Sequence, residues 1–339
     1  MKLPVIIAAI MSFSLSSSVS AQALDTVKLG WLASLTDAAL FIAIKKNYFA
    51  DERIEISPTE FKSGANMVLP LGTGELDAAA GSPSAGLYNA IGRDIKILIV
   101  ADKTRSSPGY SGSHMIIRKD LVETGRFKNL VDLKGLKLAL NGAGNSNTAT
   151  VNFALTSAGL RYDDIDVVDL SFPDHLIALQ NRSVDGSNLV EPFASAAVAR
   201  GLAIRVASDD VIDPQHQLAN ILFSSKFAAR KELGIRFMRA YLRGARFYLE
   251  ALKDSRFAGT TGEEVISILA EFTAIKDKAI LRSIMPSGID PNGTVNISSL
   301  QKDADFYLSR GWLQNKINIA DVVDHTFVDE ASKSLGRIQ

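Results

Sequence analysis

Between Lys134 and Ser157 a strand, a tight loop and a helix follow one another without a gap: K-G-L-K-L-A-L-N-G-A-G-N-S-N-T-A-T-V-N-F-A-L-T-S. That order is what most constrains the fold. Leu136, Leu138 and Leu140, with Ala139 between them, read as a short buried strand. Residues 141–147 are turn formers, and 148–157 continue as a helix. Such a junction presents free backbone N–H groups at the positive end of a helix dipole, where a small anionic or polar group can sit without any catalytic side chain. We read this loop as half of a ligand clamp whose other half lies earlier in the chain.

The same alternation fills the upstream sequence. Residues 27–32 read as a strand, 38–46 as an apolar helix ending in lysines, 53–61 as a second strand and 65–72 as a short helix. A third strand runs through A-A-A-G into S-P-S, and residues 95–101 form a continuous apolar strand suited to a sheet covered on both faces. Strands alternating with helices argue an α/β lobe with a largely parallel sheet. Residues 104–113 (T-R-S-S-P-G-Y-S-G-S) are the best linker signal. A second α/β run follows it, with strands at 114–118, 136–140, 167–170, 184–190 and 202–207 and helices at 160–164, 173–180 and 194–200. Residues 218–224 read as a strand returning to the first lobe. The remainder is helical (226–232, 234–253, 262–271, 276–285, 298–310 and parts of 319–336), which suits packing around a completed sheet. One internal echo stands out: L-G-T-G-E-L-D-A at 71–78 and L-Q-N-R-S-V-D-G at 179–186 share the order helix end, turn, apolar residue, aspartate, small residue.

Charge and composition narrow the partners. Lys+Arg and Asp+Glu both count 37, so nothing steers the protein toward nucleic acid or an anionic membrane. The start carries one lysine, a mostly apolar run over residues 3–15, and small residues to Ala23, which is the pattern of a signal peptide cleaved near Ala21 or Ala23. The apolar run is too short to span a membrane. Removing residues 1–23 takes away Lys2 and no acid, so the mature chain is slightly acidic. With no cysteine, disulfides, thiolate sites and a lipid-modified N-terminal cysteine are excluded. A periplasmic protein without a lipid anchor is expected.

The stretches A-I-K-K-N-Y-F-A-D-E-R-I-E-I, G-T-G-E-L-D-A-A-A-G-S-P-S, D-L-K-G-L-K-L-A-L and V-D-G-S-N-L-V-E-P-F-A-S-A-A-V-A-R-G occur in that order. Together they resemble the substrate-binding proteins of ABC importers in the nitrate, sulfonate, taurine and thiamine-precursor group (the SsuA/THI5-like, NMT1-like set), over essentially all of the mature chain. Asn47 stands where that pattern usually has glycine; asparagine tolerates a left-handed helix end. The resemblance implies a two-lobed type II periplasmic binding fold, with parallel or mixed sheets flanked by helices and two crossover segments, closing on ligand like a hinged clamp. The expected lobes are residues 24–112 with 220–339, and 113–219, with crossovers near 110–115 and 217–222. The implied partners are a small-molecule ligand and a membrane permease with its ATPase. A monomer without cofactor or metal is expected.

In that frame the ligand contacts come from loops at the C-terminal ends of strands. The first lobe offers Trp31, Ser34, Gly64, Gly81, Ser82 and Ser84, the hinge Tyr110 and Ser111, and the second lobe Asn141, Gly142, Asn145, Ser146, Thr148, Asn188 and Glu191. Serine, threonine and asparagine supply hydrogen bonds, while glycine allows close backbone approach. The same residues also make ordinary turns and helix caps. Trp31 can stack on a flat ligand or pack in the core. Glu191 can accept from a ligand amine or pair with an arginine. Lys103 and Arg105 are the nearest basic candidates for an anion, and otherwise read as solvated loop charges.

Catalytic patterns fail. Gly142-x-Gly144-x-x-Asn147 lacks the third glycine of a dinucleotide loop, and Gly109-Tyr110-Ser111-Gly112-Ser113 lacks the last glycine of a nucleophile elbow. His114, His175, His216 and His325 have no metal-ligand spacing. Fungal enzymes of pyrimidine synthesis related to this fold carry a cysteine-rich motif that this chain cannot have. The expected function is therefore capture of a sulfonate, carboxylate or related small molecule for import. The alternatives are a pyrimidine or other aromatic ligand, or a sensing role beside a membrane protein.

Overall fold

The computed structural model describes residues 23–338, so the expected leader lies outside the described residues except for Ala23. Ten strands run in chain order: β1 (Asp25–Trp31), β2 (Ile54–Glu60), β3 (Ala78–Gly81), β4 (Ile97–Arg105), β5 (Ser113–Arg118), β6 (Lys137–Leu140), β7 (Asp166–Asp169), β8 (Gly186–Val190), β9 (Ala203–Ser208) and β10 (Gln217–Ser224). They form two five-stranded sheets, ordered β2-β1-β3-β10-β4 and β7-β6-β8-β5-β9. In each, four strands run in one direction and the fifth runs antiparallel to both its neighbours, β10 in the first and β5 in the second. The two lobes share one plan.

The sequence echo has a structural cause. Asp77 Oδ2 accepts the Lys28 amide at 2.9 Å while its own amide donates to Lys28 O at 3.0 Å. Asp185 repeats this on Lys137, at 3.0 and 2.7 Å. Each aspartate thus ties the entry of one strand (β3 or β8) to its parallel neighbour (β1 or β6) one residue before their pairing begins, satisfying an N–H that this ladder leaves free.

The chain crosses between sheets in the connections β4–β5 and β9–β10. The second crossing precedes residues 217–222, because β10 is already paired with β4 at Gln217. There the Gln217 amide donates to Ser299 Oγ at 2.8 Å and its Nε2 to Thr104 O at 3.1 Å, which fixes it in the first lobe.

The C-terminal helices do pack around the first sheet. The apolar helix Ala38–Lys45 lies against the long amphipathic helix Lys231–Glu250, and Gly244 marks their closest approach: a Cβ there would lie 2.1 Å from Ala39 O. Gly234, which resembles a helix start in the sequence, sits inside that long helix, because the Phe327 ring occupies the space a side chain would need. The preceding short helix is Ser225–Ala228, capped by the Ser224 hydroxyl. Residues 160–164 yield only the 3-10 turn Tyr162–Asp164. Asn47 adopts the left-handed conformation expected of it, with φ 59°. One apolar cluster runs from Val27 and Phe41 through Ile268 and Leu269 into Phe172, Phe193 and Ala196 of the second lobe. The C-terminal part of the chain therefore spans both lobes on one side of the cleft, and burial of each large side chain there contributes about 1.5–3 kcal/mol.

Candidate functional site

The loops leaving β1, β3 and β6 meet where the lobes face each other. Asn145 caps the helix Ser146–Ser157, taking the Thr148 amide on its Oδ1 at 3.2 Å, and its Nδ2 donates to Asn141 O. Across the gap, Ser82 Oγ accepts the Ser146 amide at 3.0 Å and donates to Ser146 Oγ at 2.8 Å, which donates to Leu218 O at 2.7 Å. Backbone joins backbone as well: Ala85 N to Gly144 O at 2.7 Å and Leu35 N to Glu191 O at 3.1 Å, with Asn141 Nδ2 reaching Lys62 O at 3.0 Å. The lobes are latched shut in this conformation.

Behind the latch is a chamber of about 50 Å³, room for about four water-sized groups. Its walls include Thr36, Ser82 and Lys103 from the first lobe and Ser113, Asn145 and Asp209 from the second. Lys103 is fully buried, with Nζ 2.6 Å from Asp37 Oδ1 and 3.1 Å from Ala80 O. Asp37 Oδ2 accepts the amides of Leu32 and Ser34 at 3.3 and 3.2 Å, which holds the β1 loop against the chamber. Burial pulls the Lys103 ammonium below its ordinary pKa, and Asp37 opposes that pull. Of the three N–H bonds of the ammonium, Ala80 O takes one as a hydrogen bond, while Asp37 meets the charge as an ion pair.

Asp209 differs from Asp37. Its amide donates to Ser111 Oγ at 3.0 Å, and its buried carboxylate faces Ser113, the one side-chain donor beside it among the described residues. The neighbouring Ser113 hydroxyl is turned to Asn188 Oδ1 at 3.1 Å. Burial pushes the Asp209 pKa up to about 7, against the pull of His216 and His114.

Of the residues singled out in the sequence, Gly64, Ser82, Asn141, Asn145 and Ser146 line the chamber. Ser34 is buried beside it, hydrogen-bonded to Thr36 at 2.8 Å. Ser84 caps the helix Ala85–Ile91 and pairs across the gap with Asn145. Thr148 and Gly142 complete the loop, Gly142 N donating to Asp169 Oδ1 at 2.6 Å. Asn188 stands one layer back, and its Nδ2 has no partner among the described residues. Ser111 is buried and donates to Ser113 O at 2.6 Å.

Four residues are placed differently from their ligand readings. The Trp31 ring packs edge-on to Phe41 and Phe272, at 5.2 and 6.3 Å, so its surface is spent in the core. Gly81 packs behind Gly64 and Met67. Tyr110 closes a tight turn with Ser107 and faces a separate hollow beside Arg105 and Pro291. The fully buried Glu191 carboxylate accepts Ser195 N at 2.9 Å, Ser195 Oγ at 3.0 Å and Arg205 Nη2 at 2.8 Å, with His114 Nε2 at 3.3 Å. Burial alone would raise its pKa, but these partners hold it below the usual range. Sequence reasoning missed Asp37, Thr36 and Asp209; of its two readings of Lys103, an anion candidate or a solvated loop charge, burial in the chamber wall removes the second. The one available signal was charge at the end of an apolar strand.

A wider hollow of about 560 Å³ lies beside the chamber, sharing Leu32 and Phe172 with it and adding Phe193, Phe272, Lys62 and Lys276.

The NMT1-like family pattern matches residues 20–258. The chain belongs to the NMT1-like family. A Bacillus subtilis (strain 168) relative named for aliphatic sulfonate binding is 24% identical over 319 residues, covering 91% of this chain and 88% of its own. The alkanesulfonate-binding protein SsuA of Xanthomonas axonopodis pv. citri, solved bound to MOPS, superimposes with a TM-score of 0.73 at 18% identity, over 90% of this chain and 99% of that one. The periplasmic nitrate-binding protein NrtA of Synechocystis PCC 6803 gives 0.73 at 13% identity, over 92% and 89%. The two latched lobes of this NMT1-like chain are thus the two-lobed fold of periplasmic binding proteins. Among the described residues no helix is long and apolar enough to cross a membrane.

Proposed function

We propose that this protein is the periplasmic solute-binding component of an ABC importer. It captures a small oxyanion-bearing molecule, a sulfonate or carboxylate, between its lobes and delivers it to a membrane permease with its ATPase. The observation that carries this reading is the latch of Ser82 on Ser146 in front of a chamber holding a buried lysine. The chamber walls belong to both lobes, so an occupant touches both and favours the closed state, and a permease that recognises closure receives only loaded protein. The names of the sulfonate- and nitrate-binding relatives support an oxyanion. No nucleophile–base pair is needed for such a role. Glu191, whose carboxylate is saturated by Arg205 and Ser195, serves the lobe's interior in this reading.

A second reading, an aromatic ligand, draws on the Phe172, Phe193 and Phe272 rings of the outer hollow. Calorimetric titration of the mature protein against alkyl sulfonates, carboxylates, nitrate and pyrimidines tests both. Binding of an oxyanion that Lys103→Met abolishes supports the first reading; binding of pyrimidines alone overturns it in favour of the second.

A further inference from the structure

The two crossovers between the lobes meet at one residue. His216 ends the second, directly before β10, and its carbonyl accepts the Ser106 amide of the first at 2.8 Å. Its ring is fully buried and shared between the lobes. Nε2 lies 3.0 Å from both oxygens of Asp303, on the first-lobe helix Ile297–Ser309. Nδ1 lies 3.1 Å from Thr150 Oγ1, on the second-lobe helix Ser146–Ser157. Phe153, one turn further along that helix, meets the ring edge-on at 5.7 Å.

The charges facing this ring are mostly negative. Asp303 is 2% exposed, and His216 is its one hydrogen-bond donor among the described residues. Asp209, on the second lobe, and Asp213, in the crossover, add two more acids. Lys302, the base beside them, pairs with Asp213 at 2.6 Å and sits 3.8 Å over the Phe153 ring. Tyr88 and Tyr307 face Asp303 from the first lobe, and burial, then the charge of that acid, pushes both phenols well above their ordinary value, so they stay neutral. Burial alone would pull the His216 pKa down, but Asp303, then Asp209 and Asp213, hold it above its ordinary value. A neutral imidazole has one N–H, and Asp303 takes it; an imidazolium has two and brings the charge that the three acids lack.

We infer that His216 is a protonated pin for the closed lobes, its imidazolium held at once by Asp303 of the first lobe and by Thr150 and Asp209 of the second. This deepens the solute-binding reading above and rests on its working motion, closure. Opening draws the helix Ser146–Ser157 away and lets water reach the ring, which then loses its proton near the ordinary pH of about 6.5. The closed state keeps the proton to higher pH. Closure is therefore strongest below the open-state value and weakens as pH rises through the closed-state one, roughly tenfold for each unit between them. A neutral ring still accepts from the Thr150 hydroxyl, but it leaves the three acids without their cation.

The distance between the lobes tests this. The chain has no cysteine, so Leu69→Cys on the first lobe and Ile177→Cys on the second, both at exposed positions, carry a pair of spin labels. Pulsed electron resonance reads their separation in the ligand-free mature protein from pH 6.0 to 9.5, while NMR follows the His216 ring over the same range. The expected result is a closed population that falls roughly tenfold relative to the open one as the ring loses its proton. His216→Gln still donates to Asp303 but has no proton to lose, and should show no such fall; a thermal melt verifies that it folds. Should it fail to fold, Thr150→Val carries the test, since it cuts the bond to the second lobe alone and should move the ring's titration to lower pH. A separation that ignores pH, the same fall in His216→Gln, or an unmoved titration in Thr150→Val overturns the pin. The solute-binding reading stands or falls separately, on the ligand titrations above.

Discussion

Lys103 Nζ and Asp37 Oδ1 lie 2.6 Å apart in the wall of the cleft, and neither side chain is more than 1% exposed. The pair joins β4 to the loop after β1, and through the Leu32 and Ser34 amides it fixes the backbone that faces the second lobe. Removing one partner of a buried pair strands the other charge, at a cost of about 3–5 kcal/mol. Asp37→Asn and Lys103→Met should each lower stability by that order in urea melts. The double variant Asp37→Leu/Lys103→Met should recover much of the loss yet bind no oxyanion. Retained binding in the double variant would remove Lys103 from the site.

Closure depends on a glycine. Gly144 has φ +63°, and a Cβ on it would lie 2.9 Å from Ala85 Cβ of the other lobe. Gly144→Ala should therefore hold the lobes apart. It adds a left-handed strain of about 1 kcal/mol, and ligand affinity should fall roughly tenfold, a loss of about 1.4 kcal/mol in binding. Small-angle scattering with saturating ligand should show a larger radius of gyration than wild type. An unchanged radius would mean that Ala85 yields instead.

Asp209 predicts a pH dependence. The unfolded chain loses this proton at about pH 4, whereas burial keeps it on the folded protein up to about pH 7. The folded state binds the extra proton between those values, so ligand-free wild type loses stability as pH rises from about 4 to 7 and levels off above. Asp209→Asn carries no proton to lose over that range. The variant should match wild type at pH 4 and exceed it at pH 8 by roughly 2–4 kcal/mol. A constant difference across that range would show that Asp209 does not keep its proton on folding.

Gly244 isolates folding from binding. A Cβ there would sit 2.1 Å from Ala39 O, so Gly244→Ala must push the helices Ala38–Lys45 and Lys231–Glu250 apart. Overpacking of this kind costs about 1–3 kcal/mol. The melting temperature should drop, while ligand affinity at 20 °C changes less than twofold, because no residue of either helix lines the chamber.

Much of the architecture could be read from local pattern. The run K-L-A-L followed by N-G-A-G-N-S-N makes β6, its loop and a helix capped by Asn145, because each step uses preferences encoded within a few residues. The Asp77 and Asp185 echo was visible as a repeat, but its hydrogen bonds to Lys28 and Lys137 were not. Helix starts were less legible where Gly234 imitated a boundary that packing against Phe327 had claimed.

By itself the sequence determined two α/β lobes, the loops that would face each other, and the polar, cysteine-free character of the cleft, since periodicity and turn chemistry are local properties. The tertiary structure alone decided which charges enter it. Lys103, one of two basic candidates in the sequence, was paired only when Asp37, far away in the chain, was brought beside it, and Asp209, for which the sequence pattern suggested no role, entered the chamber wall only through β9. Trp31 and Glu191, attractive as ligand contacts, were claimed by Phe41 and Arg205 instead. The physical reason is the same in each case. A side chain's role depends on whether its neighbours across the fold satisfy it, and those neighbours are set by long-range packing and charge pairing that no short stretch of sequence encodes.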